Sequence, residues 1–260
     1  MKKEKAYILG ALCGDGCLYI KKHYYRIEFI NCSERLAKIF ERCIKKVYNL
    51  KCRRYILITE GKKPSIRVRC NNKKAALDIN SYGKFGKYDW RIPKVISCGN
   101  KIIKSAFLKG FYDSEGTVNK TSNYICLYSC NHKGIMDIAS LLRSLGIYSS
   151  IRKRTKFSKN SYAILPQYKL YITYLDGMRK FANFINFSVE IKRNKLLKII
   201  NRKLKRVPHN YNEYIKVLNL KKQGYDIKTI TDKTNLPKST VYFWVNNLTK
   251  PRIFSKMELK

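Results

Sequence analysis

Hydrophobic positions along this chain follow two alternating rhythms. Over residues 33–48, Leu36, Ile39, Phe40, Cys43, Ile44 and Val47 recur at helical spacing, and over 132–145 Ile135, Ile138, Leu141, Leu142 and Leu145 do the same. Between such stretches the period falls to two. Ile27 and Phe29 alternate with Arg26 and Glu28, Ile66, Val68 and Cys70 with Arg67 and Arg69, and Leu170 and Ile172 with Lys169 and Tyr171. Successive side chains of a strand point to opposite faces, so these strands have one apolar face and one polar, largely cationic face. That is the pattern of antiparallel sheets covered by helices on one side only.

The pattern predicts helices near 4–14, 33–48, 73–80, 102–114, 132–145, 175–184 and 189–204. It places strands at 17–22, 24–31, 51–59, 65–71, 117–120, 123–130, 149–156 and 167–173. This is an α+β fold of two similar units, 1–92 and 93–207, with Trp90-Arg-Ile-Pro93 as the bridge between them. Beyond Pro208 the strand rhythm stops. Helices are expected near 211–223 and 226–233, and Asn235-Leu-Pro-Lys-Ser-Thr opens a third, so 208–260 reads as a separate small all-α domain.

The two units share a motif as well as a rhythm. Residues 8–16 read Ile-Leu-Gly-Ala-Leu-Cys-Gly-Asp-Gly, and residues 108–116 read Leu-Lys-Gly-Phe-Tyr-Asp-Ser-Glu-Gly. Gly10 and Gly14, like Gly110 and Ser114, put two small residues four apart on one helical face, which lets two backbones approach closely. Pairing the two copies about a pseudo-two-fold axis brings their C-terminal ends together, each carrying one acid, Asp15 or Glu115. Two helix C-termini and two carboxylates concentrate negative potential. Hard oxygen donors of this kind suit a divalent cation, magnesium or manganese, and the Gly14 and Ser114 carbonyls are candidate further ligands.

Charge changes the picture most. The 260 residues hold 56 Lys and Arg against 17 Asp and Glu, a formal net charge of +39. Self-repulsion on that scale points to a polyanionic partner, and a codon bias toward lysine does not explain why acids are so few. The nine cysteines fall between residues 13 and 130 without a Cys-x-x-Cys pair, and only His23, His132 and His209 are available beside them. That spacing argues against a structural zinc site and reads as reduced thiols of a cytoplasmic, nucleoid-associated protein. No apolar run approaches the ~20 residues of a membrane span, and no signal-type apolar region follows Met1-Lys-Lys-Glu-Lys.

With both motifs in view, residues 4–204 resemble the LAGLIDADG homing endonuclease family in its single-chain, two-motif form. The resemblance implies pseudo-symmetric αββαββα units whose motif helices form the interface and whose antiparallel, saddle-shaped sheets lie on duplex DNA. It implies a monomer that hydrolyses both strands at a specific site with magnesium or manganese. The last acid of each motif holds the metal, which carries over to Asp15 and Glu115. A lysine following each unit is implied as a further catalytic group, Lys94 in the first copy and Lys192 in the second. Two departures are visible: Cys13 stands where the motif has its first acid, and Lys109 replaces a small residue and is expected to loosen the helix packing.

Strand alternation points Arg26, Arg67, Arg69, Arg152, Arg154 and Lys169 away from the core and toward DNA. The C-terminal segment resembles a resolvase-like helix-turn-helix, with Lys238, Ser239, Thr240, Tyr242 and Phe243 facing a groove. Two alternatives share the architecture: a non-cleaving DNA-binding regulator on the same core with a C-terminal helix-turn-helix, and an RNA maturase whose partner is intron RNA. The presence of both Asp15 and Glu115 favours the enzyme.

Overall fold

The computed structural model describes residues 1–61, 63–86, 88–153, 167–201 and 211–246. Compact units form at Met1–Arg202 and Lys203–Lys260.

In the larger unit, α1 (Lys3–Asp15) leads into β1 (Gly16–Lys21), β2 (Tyr24–Asn31), α2 (Glu34–Tyr48), β3 (Arg53–Leu57), β4 (Ser65–Cys70) and α3 (Lys73–Asn80). A short α4 (Lys94–Ser97), which the hydrophobic pattern did not foretell, precedes α5 (Lys101–Glu115). The second copy then repeats the first: β5 (Gly116–Asn119), β6 (Tyr124–Ser129), α6 (His132–Arg143), β7 (Ser150–Lys153), β8 (Tyr168–Ile172), α7 (Leu175–Phe184) and α8 (Glu190–Ile200). Each copy builds a four-stranded sheet of the same topology, β1-β2-β4-β3 and β5-β6-β8-β7, with every pairing antiparallel. The strand expected over 149–156 is described as far as Lys153; Arg154 lies outside the described residues.

Local chemistry explains where these elements begin and end. Asn72, Asn100 and Asn131 each accept a hydrogen bond from a first-turn backbone N–H of α3, α5 and α6, satisfying a donor the helix leaves orphaned. Helix α2 stops where Asn49 turns left-handed, φ 56°, and its N–H returns to the Lys45 carbonyl. The strands obey the alternation: Ile27, Phe29 and Val68 are buried and Phe29 stacks on Phe40 of α2 at 4.8 Å. The opposite face carries Arg26, Arg67 and Arg69. Helix α1 breaks the amphipathic rule because Ala6 to Cys13 are all buried, as befits a helix enclosed on every side.

The bridge between the copies is anchored to the second. Trp90 is buried against Phe111, with ring centroids 4.9 Å apart, and its carbonyl accepts from Asn131 Nδ2 at 2.6 Å. Arg91 pairs with Asp137 of α6 at 2.6 Å.

The smaller unit holds α9 (Tyr211–Lys222), α10 (Ile227–Thr234) and α11 (Lys238–Val245). Its core is Tyr214, Val217, Ile230, Leu236, Val241 and Trp244. Asp226 caps α10 by accepting from the Thr229 N–H at 2.8 Å, and Asn235 ends it in the left-handed conformation. Among the described residues no helix is long and apolar enough to cross a membrane.

Candidate active site at the ends of the motif helices

Helices α1 and α5 touch backbone to backbone. A Cβ placed on Gly10 would lie 2.0 Å from the Phe107 carbonyl oxygen, and one on Gly110 would lie 2.2 Å from the Tyr7 carbonyl oxygen. One turn on, a Cβ on Gly14 would meet the Ser114 Cβ at 2.6 Å and the Glu115 Cγ at 3.2 Å. The contacts are reciprocal, as a pseudo-two-fold axis between the helices requires. Each helix runs to its acid, α1 to Asp15 and α5 to Glu115, before the chain turns into a strand at Gly16 and Gly116.

The two carboxylates therefore share one sparsely hydrated pocket. Desolvation, reinforced by the charge of Asp15, pushes the Glu115 carboxyl up to about 7. Asp15 is also raised by burial, but hydrogen bonds from Asn31 and Ser114 and the charge of Lys192 oppose the rise. The Asn31 Nδ2 donates to Asp15 Oδ2 at 2.6 Å. Lys192 of α8 completes the group. Its Nζ donates to the Asp113 carbonyl at 2.9 Å; burial lowers its pKa, and Asp113, Asp15 and Glu115 oppose that. A cleft of about 450 Å³ opens beside Glu115, lined also by Gly14, Trp90, Phe111 and Ser129.

The raised Glu115 makes stability depend on pH. An unfolded glutamate ionises near 4.5 whereas the folded one holds its proton to about 7, so the folded state is penalised progressively as pH rises between those values. Metal-free protein is accordingly expected to melt higher at pH 5 than at pH 8, the carboxylate costing roughly 3 kcal/mol at the upper end. Glu115→Gln should flatten this dependence in thermal melts made in EDTA.

The donor set fits a hard divalent cation. The two buried carboxylates offer hard oxygen ligands, with Lys192 as the cation beside them. Among the described residues no group of three or more His, Cys, Asp and Glu side chains is placed to hold a metal. Cys13 is buried and burial raises its thiol.

Two lysines depart from expectation. Lys94 does not reach the acids: it is exposed at the start of α4 and lines a groove with Arg91, Asp137 and Ser144, because the Trp90 anchor holds the bridge against the second copy, beside α6. Lys109 does not loosen the helix pair. It turns off the interface, and its Nζ donates to the Ile185 and Asn186 carbonyls at 3.3 and 3.2 Å, tying α5 to the end of α7.

Asp113, the motif's first acid in the second copy, is a structural residue, 1% exposed. It accepts from Tyr7 Oη at 3.0 Å and from the Ser188 N–H at 2.7 Å. Asn31 ends β2 where Ser129 ends β6, and this repeat of the strand ends is the sequence signal that marks the position.

The remaining candidates fall on two sheet faces and one helix. Arg26, Arg67 and Arg69 share a face of the first sheet; Arg152 and Lys169 share the matching face of the second, among Tyr124, Tyr128 and Tyr171. On α11, Lys238, Ser239, Tyr242 and Phe243 are exposed and Thr240 is half-buried.

A duplicated α+β core, two backbone-apposed motif helices and a carboxylate at the end of each define a two-motif protein with a single shared acidic centre. A family profile described as LAGLIDADG-like domain matches residues 103–186 of the chain, the second of the two copies. The replication factor C small subunit of Methanocaldococcus jannaschii is 32% identical over 203 residues, 76% of this chain, and the chain spans 10% of that protein's length. The homing endonuclease I-ApeI of Aeropyrum pernix is 24% identical over 209 residues, covering 76% of this chain and 87% of the relative. Among solved structures, I-DmoI in complex with DNA and Mn superposes with a TM-score of 0.50 at 24% identity, covering 70% of this chain and 96% of that one. At that identity the likeness establishes the fold.

Proposed function

We propose that this protein is a site-specific double-strand DNA endonuclease that hydrolyses phosphodiester bonds with magnesium or manganese. The observation that carries the reading is the buried Asp15–Glu115 pair, brought together where α1 and α5 end and overlooked by Lys192. Homing endonucleases among the relatives and fold neighbours, one of them in complex with DNA and Mn, support it.

Asp15 and Glu115, with the Gly14 and Ser114 carbonyls, would hold the ions. A bound metal would supply a more readily deprotonated water as nucleophile and a counter-charge for the leaving 3′ oxygen. Asn31 fixes the rotamer of Asp15 through its amide. Lys192, docked on the Asp113 carbonyl, keeps a positive charge beside both acids and can donate to a phosphate oxygen. The cationic sheet faces neutralise the duplex backbone. The smaller unit, with α10 and α11 as a helix-turn-helix, adds affinity because a tethered second site acts at raised effective concentration.

The test is incubation with a randomised duplex library in magnesium, in manganese and in EDTA, followed by sequencing of the fragment ends. Cutting of both strands at one defined sequence, present with either ion and absent in EDTA, is the expected result. Selective binding with no cutting in either ion would leave a non-cleaving DNA-binding protein. Affinity is also expected to fall roughly 10³- to 10⁵-fold between about 50 and 200 mM salt, the response of a protein that displaces many phosphate counterions. A flat salt titration would remove the role assigned to the +39 charge.

A further inference from the structure

The arginines on the first sheet are not independent surface charges. All three converge on Glu28, a carboxylate only 3% exposed at the centre of a face otherwise built to meet a polyanion. Arg69 Nε donates to Glu28 Oε1 at 2.7 Å. Arg26 Nε and Arg67 Nε lie 3.3 and 3.9 Å from the same oxygen, each buried and off the hydrogen-bonding direction. Tyrosine rings clamp two of the guanidinium faces, Tyr19 on Arg26 at 4.2 Å and Tyr55 on Arg69 at 5.0 Å.

Burying a carboxylate is costly unless it is paired, and on a DNA-facing surface it also subtracts attraction for phosphate. Affinity alone therefore does not explain Glu28. Orientation does. With its Nε engaged at the carboxylate, Arg69 has its terminal nitrogens left as donors to an outside ligand, and a guanidinium held at one edge presents them as a fixed fork, whereas Arg67, its Nε 3.9 Å away, is drawn alongside by the charge of Glu28. Such a fork has donors only. Guanine offers two acceptors, N7 and O6, on its major-groove edge, whereas adenine offers one acceptor and one donor.

The second sheet is built differently at the matching positions. Where Glu28 faces Arg69, Cys126 faces Tyr171, and where Arg67 faces Ile30, Lys169 faces Tyr128. Lys169 Nζ sits 4.5 to 4.8 Å from the rings of Tyr124, Tyr128 and Tyr171 and donates to Tyr124 Oη at 3.2 Å. Tyrosine hydroxyls donate as well as accept, and a caged ammonium is a point charge, so this surface sets no requirement for paired acceptors.

We infer that Glu28 is a specificity-determining positioning residue: it holds the Arg69 guanidinium, with Arg67 drawn alongside, so that the first unit selects guanine in its half of a duplex target. The inference rests on the DNA-binding reading above and adds to it that the two halves of the target are read by different chemistry.

The experiment is selection of bound sequences from randomised duplex DNA in EDTA, where cutting plays no part, followed by Kd measurements on single-base variants. The full-length wild type is compared with Glu28→Gln, Arg69→Lys and Lys169→Ala. The wild type should require guanine in one half only, with guanine-to-adenine changes there costing on the order of ten-fold or more in Kd. Glu28→Gln should reduce that penalty to roughly two-fold while leaving the other half's preferences intact. Arg69→Lys, which keeps the charge and loses the fork, should do the same. Lys169→Ala should alter only the other half, which assigns the halves to the units. Unchanged guanine discrimination in Glu28→Gln overturns the inference. So does an equal loss of selectivity in both halves with a lowered melting temperature, which would make Glu28 a general stabiliser. A wild type that selects no duplex sequence would instead overturn the DNA-binding reading and this inference with it.

Discussion

Asp15→Asn and Glu115→Gln are each expected to cut duplex target at least about 10³-fold more slowly than the wild type while binding it within a few-fold. Both replacements keep the shape of the side chain and remove one ionisable carboxylate from a largely desolvated pocket. The apo fold is relieved rather than strained by the change: Glu115 is already pushed up to about 7 by desolvation and by its neighbour Asp15. Binding should survive because the cationic sheet faces proposed to meet the phosphates are untouched, and one fewer negative charge slightly strengthens attraction for DNA. Because both acids are assigned to one proposed centre, the double variant should be little worse than either single one. Single-turnover cleavage on a defined duplex, with affinity measured in EDTA alongside, makes the comparison. Cutting by Asp15→Asn at the wild-type rate would refute the site.

Gly10→Ala or Gly110→Ala is expected to unfold the larger unit or lower its melting temperature by on the order of 10 °C or more, from roughly 3–5 kcal/mol of lost stability. The added Cβ would stand 2.0 or 2.2 Å from a carbonyl oxygen of the opposing helix. A backbone carbonyl cannot rotate aside as the end of a flexible side chain can, so α1 and α5 must separate. Both helices are buried along most of their length, and moving them apart opens voids beside Ile8, Leu12, Phe107 and Phe111. It also separates Asp15 from Glu115, so cleavage should fall with stability. Gly86→Ala is the control: it has nothing within 4 Å of the added Cβ and should melt with the wild type. Thermal melts of the three full-length variants decide the matter; a stable Gly10→Ala protein would mean that the helices are not in backbone contact.

Much of this architecture was legible in the amino-acid order because it follows from neighbours along the chain. Strand alternation separated Ile27 and Phe29, which are buried, from Arg26, and helical spacing placed Leu36, Phe40 and Ile44 on the covered face of α2. The repeated small residues announced a close helix pair, and the acid after each located its end. A buried, uniformly apolar helix such as α1 has no amphipathic signature, and only its repeat at α5 made it recognisable.

What required the folded chain was every relation set by register or by the meeting of distant segments. Asn31 reaches Asp15 because β2 ends beside the end of α1, 16 residues away in sequence. Lys192 meets the acids because α8 returns to Asp113, 79 residues back, whereas Lys94, beside Pro93 in the first copy, is carried to α6 by the buried Trp90. Lys109 looked like an intrusion between helices and is a tether to α7, since the direction a lysine takes depends on which carbonyls lie within its reach. Glu28 read as one more polar residue in an alternating strand until pairing with β4 set it beside three arginines. Periodicity and spacing are properties of one segment and are written in its residues; the electrostatic character of a side chain belongs to its surroundings, and those exist only once the segments have packed.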